Sequence, residues 1–152
     1  MMLLAGCGGA GSGESSTTGA ASFSVQARTL CQDFRKRVAG AVANVPQVDE
    51  ANPQPEQVKA ATAAAAETVL PLVRSTLARL RKLEPPADRV AKWQSFLHNI
   101  DAFVSTSAKN LDSLRESGDV AEYRRAIGER DDLIERVDVS AIVAGVPACA
   151  FL

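Results

Sequence analysis

Apolar side chains return at helical spacing from residue 22 onward: Phe23, Ala27, Leu30, Phe34, Val38, Ala41 and Val45, while Arg28, Asp33, Lys36 and Arg37 fall largely on the other side. Steps of three and four residues put one stripe on one face, so a first helix is expected over about Ser22 to Asn44. Cys31 adjoins Leu30 and so starts on or near that stripe. Residues 46 to 54 read as a loop, with Pro53 and Pro55 suited to start the next helix. A second helix is expected over about Pro55 to Leu83, its inner face made of Val58, Ala61, Ala65, Val69, Val73, Leu77 and Leu80. Pro71 falls in its middle, where it removes a backbone donor and clashes with the carbonyl of Glu67, which predicts a kink.

The run Glu84-Pro85-Pro86-Ala87 is a tight break of the kind that turns one helix back on another. After it, about Pro86 to Ser117, the pattern is clearest: Val90, Trp93, Leu97, Ile100, Val104, Ser107, Leu111 and Leu114 follow a heptad, and Phe96 and Phe103 widen the seam. That width suits an intramolecular bundle better than a coiled coil between chains. Ser117-Gly118-Asp119 closes this helix and opens a fourth, with Asp119 and Glu122 spaced as a capping box. The fourth uses Val120, Tyr123, Ile127, Ile134, Val137, Ala141 and Ile142, with Arg130 on the seam and expected to snorkel out. Gly145 and Pro147 stop it. Short loops between four such helices predict an all-α fold: an up-down-up-down four-helix bundle with a kinked second helix. That order brings the start of the first helix to the end of the fourth, and so Cys31 to Cys149.

Composition narrows the functional classes. The 152 residues carry 17 Lys and Arg against 18 Asp and Glu, so no field gathers nucleic acid or anionic lipid. Aromatic residues make up only 5%, as suits a helical domain of about 130 residues once the N-terminal tract is set aside. No run of 18 apolar residues occurs, so no helix is expected to span a bilayer.

Any attachment to a membrane therefore falls to the N-terminus. There Leu4-Ala5-Gly6-Cys7 resembles the lipobox of bacterial lipoproteins, an aliphatic residue and two small ones before a cysteine. The resemblance implies that Cys7 is diacylated on sulfur and that the lipid holds the protein on a membrane. Residues 1–6 then read as the remnant of a signal peptide whose basic n-region would precede Met1. Residues 7–21 become the lipidated cysteine and a tether of Gly, Ser, Thr and Ala, and residues 22–152 the bundle domain. With Cys7 assigned to lipid, the three cysteines leave an even remainder, and Cys31 and Cys149 are expected to form a disulfide outside the cytoplasm. The alternative is a pair of small buried hydrophobes in a reducing compartment. Four features together, the Leu4 to Cys7 box, Cys31 in the first helix, Leu80-x-x-Leu83-x-Pro85-Pro86 and the ending Gly145-Val146-Pro147-Ala148-Cys149-Ala150, resemble small actinobacterial lipoproteins and secreted helical proteins. That resemblance carries no activity with it.

Candidate chemistry is sparse. The single histidine, His98, has Ser95 and Asp101 three residues to either side, but neighbours along one helical face recur by chance, and it lies off the seam. Di-iron sites in bundles need Glu-x-x-His, and Ser95 stands where the glutamate would be. No haem-attachment motif and no phosphate loop after a strand is present, so no catalytic residue, metal or cofactor is expected. Arg35-Lys36-Arg37 and the group Arg74, Arg79, Arg81 and Lys82 read as solvated faces, balanced by Glu129, Asp131, Asp132 and Glu135 across the bundle. The leading expectation is a non-enzymatic, lipid-anchored binding or scaffold module of the cell envelope, whose partners are the membrane through Cys7 and an envelope protein or small apolar ligand. Its closest rival is a carrier of that ligand in a core lined by Trp93, Phe96, Phe103 and the Pro71 kink. An enzyme using His98 and an oligomeric coiled coil through the third helix are the remaining readings.

Overall fold

A computed structural model describes residues 15–151. Among them are four helices, α1 (Ser15–Val42), α2 (Pro55–Leu80), α3 (Val90–Ser117) and α4 (Val120–Val143), with 3-10 turns at Ala87–Arg89 and Pro147–Cys149 and no strand. The assignments of lipid to Cys7, of a signal remnant to residues 1–6 and of a tether to residues 7–14 lie outside the described residues. α1 begins at Ser15 rather than Ser22, so the second half of the expected tether is helical. Once a helix is anchored at Phe23 and Ala27, adding residues such as Ala20 and Ala21 costs little, because each brings its own hydrogen bond. α2 ends at Leu80 rather than Leu83, in a turn where the amides of Lys82 and Leu83 reach back three residues.

The termini are fixed by local chemistry. Gly118 closes α3 at φ 64°, a conformation that favours glycine, and a Cβ there would sit 2.7 Å from the carbonyl oxygen of Pro55. One residue later the Asp119 carboxylate accepts from the amide of Glu122 at 2.7 Å and starts α4. The end of α3 therefore lies against the start of α2. At the other end Gly145, φ 75°, leaves room for the Arg89 guanidinium, and Arg89 also reaches the Ser24 hydroxyl.

The core runs up one side of each helix. α1 contributes Phe23, Ala27, Cys31 and Phe34, so the cysteine itself, more than Leu30, occupies the stripe. On α3 the most deeply buried residue is Phe96, fully enclosed, rather than its neighbour Leu97. Phe23, Trp93 and Phe96 stack in sequence, with Phe23 edge-on to Trp93 at 4.9 Å between ring centroids. On α4 the buried positions are Leu133, Val137, Asp138, Ser140 and Ala141; Ile142, expected inside, is 62% exposed. One residue turns about 100° around a helix, and with Ser140 and Ala141 on the inner side that step carries Ile142 outward.

Candidate functional site

The helices do not close into a ring. α2 packs on α1, α3 and α4, and α3 on α4, yet among the described residues no Cα of α1 comes within 8 Å of one of α4. The C-terminal tail fills part of this gap. Its 3-10 turn touches both α1 and α4 and brings Cys149 to Cys31, with sulfurs at 2.04 Å and Cα atoms at 5.0 Å. The cysteine pair expected from the count is thus at bonding distance. Beyond it Arg35 donates to the carbonyl of Ala150, and the amide of Phe151 donates to the Asp138 carboxylate. These bonds turn the Phe151 ring inward, 5.8 Å from Phe34 and 5.4 Å from Phe103.

Below Phe151 the gap stays empty and forms a cleft of about 410 Å³. All four helices line it: Val38 and Val42 from α1, Ala65 and Val69 from α2, Leu111 and Leu114 from α3, Ile127 and Ile134 from α4. On α2 the lining runs from Thr62 to Val73, on α3 from Phe103 to Leu114, and on α4 from Tyr123 to Ile134. Each segment covers three helical turns, so the cleft is about 16 Å long, parallel to the helices. The walls are mostly valine, leucine, isoleucine and alanine. Above Phe151, around the two sulfurs, only about 20 Å³ remains.

Polar atoms in the cleft are few and belong mainly to α3 and α4: Thr106, Ser107, Asn110, Tyr123 and Arg130. Asn110 donates from Nδ2 to Glu129 at 2.9 Å. Arg130, expected to snorkel outward, is exposed and spends its charge on neighbouring Asp131, with Nε at 3.0 Å and Nη2 at 2.8 Å from one carboxylate oxygen. The Tyr123 hydroxyl is held above its ordinary pKa by burial, then by the negative charge of Glu50, with Arg130 acting in the opposite sense. Thr62 Oγ1 is buried and satisfied on its own helix by the Val58 carbonyl at 2.8 Å.

The aromatic residues expected to line a ligand site separate. Phe103 lies on the cleft, whereas Trp93 is packed in the core at 2% exposure and Phe96 borders only the small void by the sulfurs. Pro71 is exposed on the outside of α2 and does not line the cleft. Several lining residues stand outside the stripes that the periodicity gives, among them Val42, Leu70, Ala126 and Leu133. Leu133 falls outside because the α4 stripe runs from Ile127 to Ile134, although 126, 130, 133 and 137 have the same spacing. Phe151 stands beyond the last helix, where periodicity gives no guidance.

Away from the cleft, the buried Trp93 Nε1 and Asp138 Oδ2 have no hydrogen-bond partner. His98 and Ser95 are exposed, and Asp101, the third member of that run, is bound by the Arg81 guanidinium from α2. Arg79 pairs with Asp33 of α1 at 3.4 Å, so these basic residues meet acids of α1 and α3 rather than those of α4. No cluster of three His, Cys, Asp or Glu that could hold a metal is present among the described residues. No helix among them is long and apolar enough to cross a membrane. Comparison with protein families, curated proteins and solved structures finds no match to this chain.

Proposed function

We propose that the chain is a lipid-anchored, extracytoplasmic protein of the cell envelope that acts by binding rather than catalysis, and that it holds a small apolar ligand in the cleft between α1 and α4. One observation carries this reading: a 410 Å³ opening with aliphatic walls, within the roughly 300 to 1,000 Å³ of ligand pockets and far beyond the voids of a close-packed core. The helix order we assign is up-down-up-down, with a bend at Pro71. The approach of Gly118 to Pro55 and of Arg89 to Gly145 and Ser24 supports that order. Anchoring rests on Leu4 to Cys7, and export also on the Cys31–Cys149 pair, which an oxidising compartment would keep. A scaffold role is the second reading, favoured by Val139, Ile142 and Val143, each more than half exposed on one face of α4.

Two measurements test the proposal. Uptake of N-phenyl-1-naphthylamine by the purified protein should saturate at one per chain, and Ala65→Phe or Ala126→Phe should suppress it while the protein still unfolds cooperatively. Equal uptake by the filled variants would remove the cleft as the site. In a lipoprotein-processing bacterium, labelled fatty acid should enter the wild type and not Cys7→Ser; absence of label in both would remove the anchor.

A further inference from the structure

The shape and chemistry of the cleft narrow what fits it. The cleft runs about 16 Å along the helices between aliphatic walls. That length and those walls suit one extended hydrocarbon chain lying parallel to the helices. The end under Phe34, Phe103 and Phe151 is closed by aromatic rings and has no polar group to receive a headgroup. Polar atoms appear on the way to the other end, at Ser107, Asn110 and Tyr123. The charges near them are arranged against an ion. Arg130 is already matched by Asp131, Glu129 holds the Asn110 amide, and Glu50 is close enough to act on Tyr123. An anionic headgroup would find one compensated cation and three carboxylates. Those carboxylates stand on the exposed rim, where water screens them, so a charge of either sign gains little there. What remains inside is a set of hydroxyls and an amide oxygen, which suit a headgroup that both donates and accepts hydrogen bonds.

We propose that the cleft takes a single-chain amphiphile with a neutral, hydroxyl-bearing headgroup, such as a monoacylglycerol. The chain lies along the helices with its methyl end beneath Phe151, and the headgroup bonds to Asn110 and Tyr123 toward the other end. This rests on the reading of the cleft as the ligand site, and the experiment separates the two.

Purified full-length protein is titrated calorimetrically, below micelle-forming concentrations, with monolaurin, laurate, dodecyltrimethylammonium and phenanthrene, and each complex is counted by native mass spectrometry. Monolaurin should bind one per chain and at least about tenfold more tightly than the two ionic dodecyl probes, since each hydrogen bond left unmade in a buried site costs on the order of a factor of ten. Shortening to the decyl and octyl esters should weaken binding roughly tenfold or more per two carbons, the fold-change for about 0.8 kcal/mol per buried CH₂. Tyr123→Phe should narrow the preference for monolaurin over laurate without changing the dependence on chain length. Laurate or the ammonium probe binding as tightly as monolaurin, or phenanthrene outcompeting it, would overturn the ligand class and leave the cleft as a site. No binding of any probe to a folded protein, judged against Ala126→Phe, would overturn both.

Discussion

Replacing both bridge cysteines, Cys31→Ala with Cys149→Ala, is the perturbation whose size follows most directly from the fold. The residues are 118 apart, so the bond closes nearly the whole helical domain into one loop. In the chain-entropy relation a loop of this length restricts the unfolded chain by about 5 kcal/mol at 25 °C. Residual structure in the unfolded state lowers the measured value, so a loss of about 2 to 5 kcal/mol is expected. Against a total stability of about 5 to 15 kcal/mol for a domain, that is a large share. The site also adds a native-state reason: no Cα of α1 comes within 8 Å of one of α4 among the described residues, and the tail that carries Cys149 packs on both helices. The assay is urea unfolding followed by helical circular dichroism, comparing the oxidised protein with the double variant. The midpoint should fall, and the denaturant slope should rise, because an uncrosslinked unfolded chain exposes more surface. A midpoint shift worth less than about 1 kcal/mol, with an unchanged slope, would refute the reasoning, since a bond that constrains the unfolded chain must affect both.

Three further outcomes follow from individual positions. Phe96→Ala, at a fully enclosed ring, should cost about 3 to 5 kcal/mol in the same assay, and Phe103→Ala less, because its side chain already borders open space. Gly118→Ala should destabilise by about 1 to 3 kcal/mol through its positive φ and its contact with the Pro55 carbonyl, whereas Gly128→Ala, in open space within α4, should stabilise by about 0.5 to 1 kcal/mol. Tyr123 should ionise, by absorbance near 295 nm, above the ordinary value of about 10, and Glu50→Gln should bring it partway back. Because the folded state holds this proton more tightly than the unfolded chain, the associated stability is intact below about pH 10 and declines as pH rises toward the folded-state value.

Much of the fold was legible because helical periodicity and punctuation agree. Pro55, Gly118, Asp119 and Gly145 mark boundaries by backbone chemistry that acts locally, and the structure uses each as expected. The cysteine pair was legible by counting. The cleft was not. That α1 and α4 stand apart depends on the side chains of all four helices and on a tail with no periodicity, which no single stripe encodes. Val38, Leu111 and Ile127 look like ordinary core residues in sequence, and only their arrangement around an opening distinguishes them from Phe96 and Val137. Ile142 shows the opposite error: an apolar residue beside a seam is inside or outside according to a twist the sequence carries only weakly.

The helices meet mostly in the order in which they are made: α1 on α2, α2 on α3, α3 on α4. Pairings of this kind keep contact order low, and low contact order goes with assembly in microseconds to milliseconds. Only the tail's return to α1 spans nearly the entire chain. A growing polypeptide can therefore build its first three helices as they emerge, while the seam around Cys31 waits for the last residues to be synthesised.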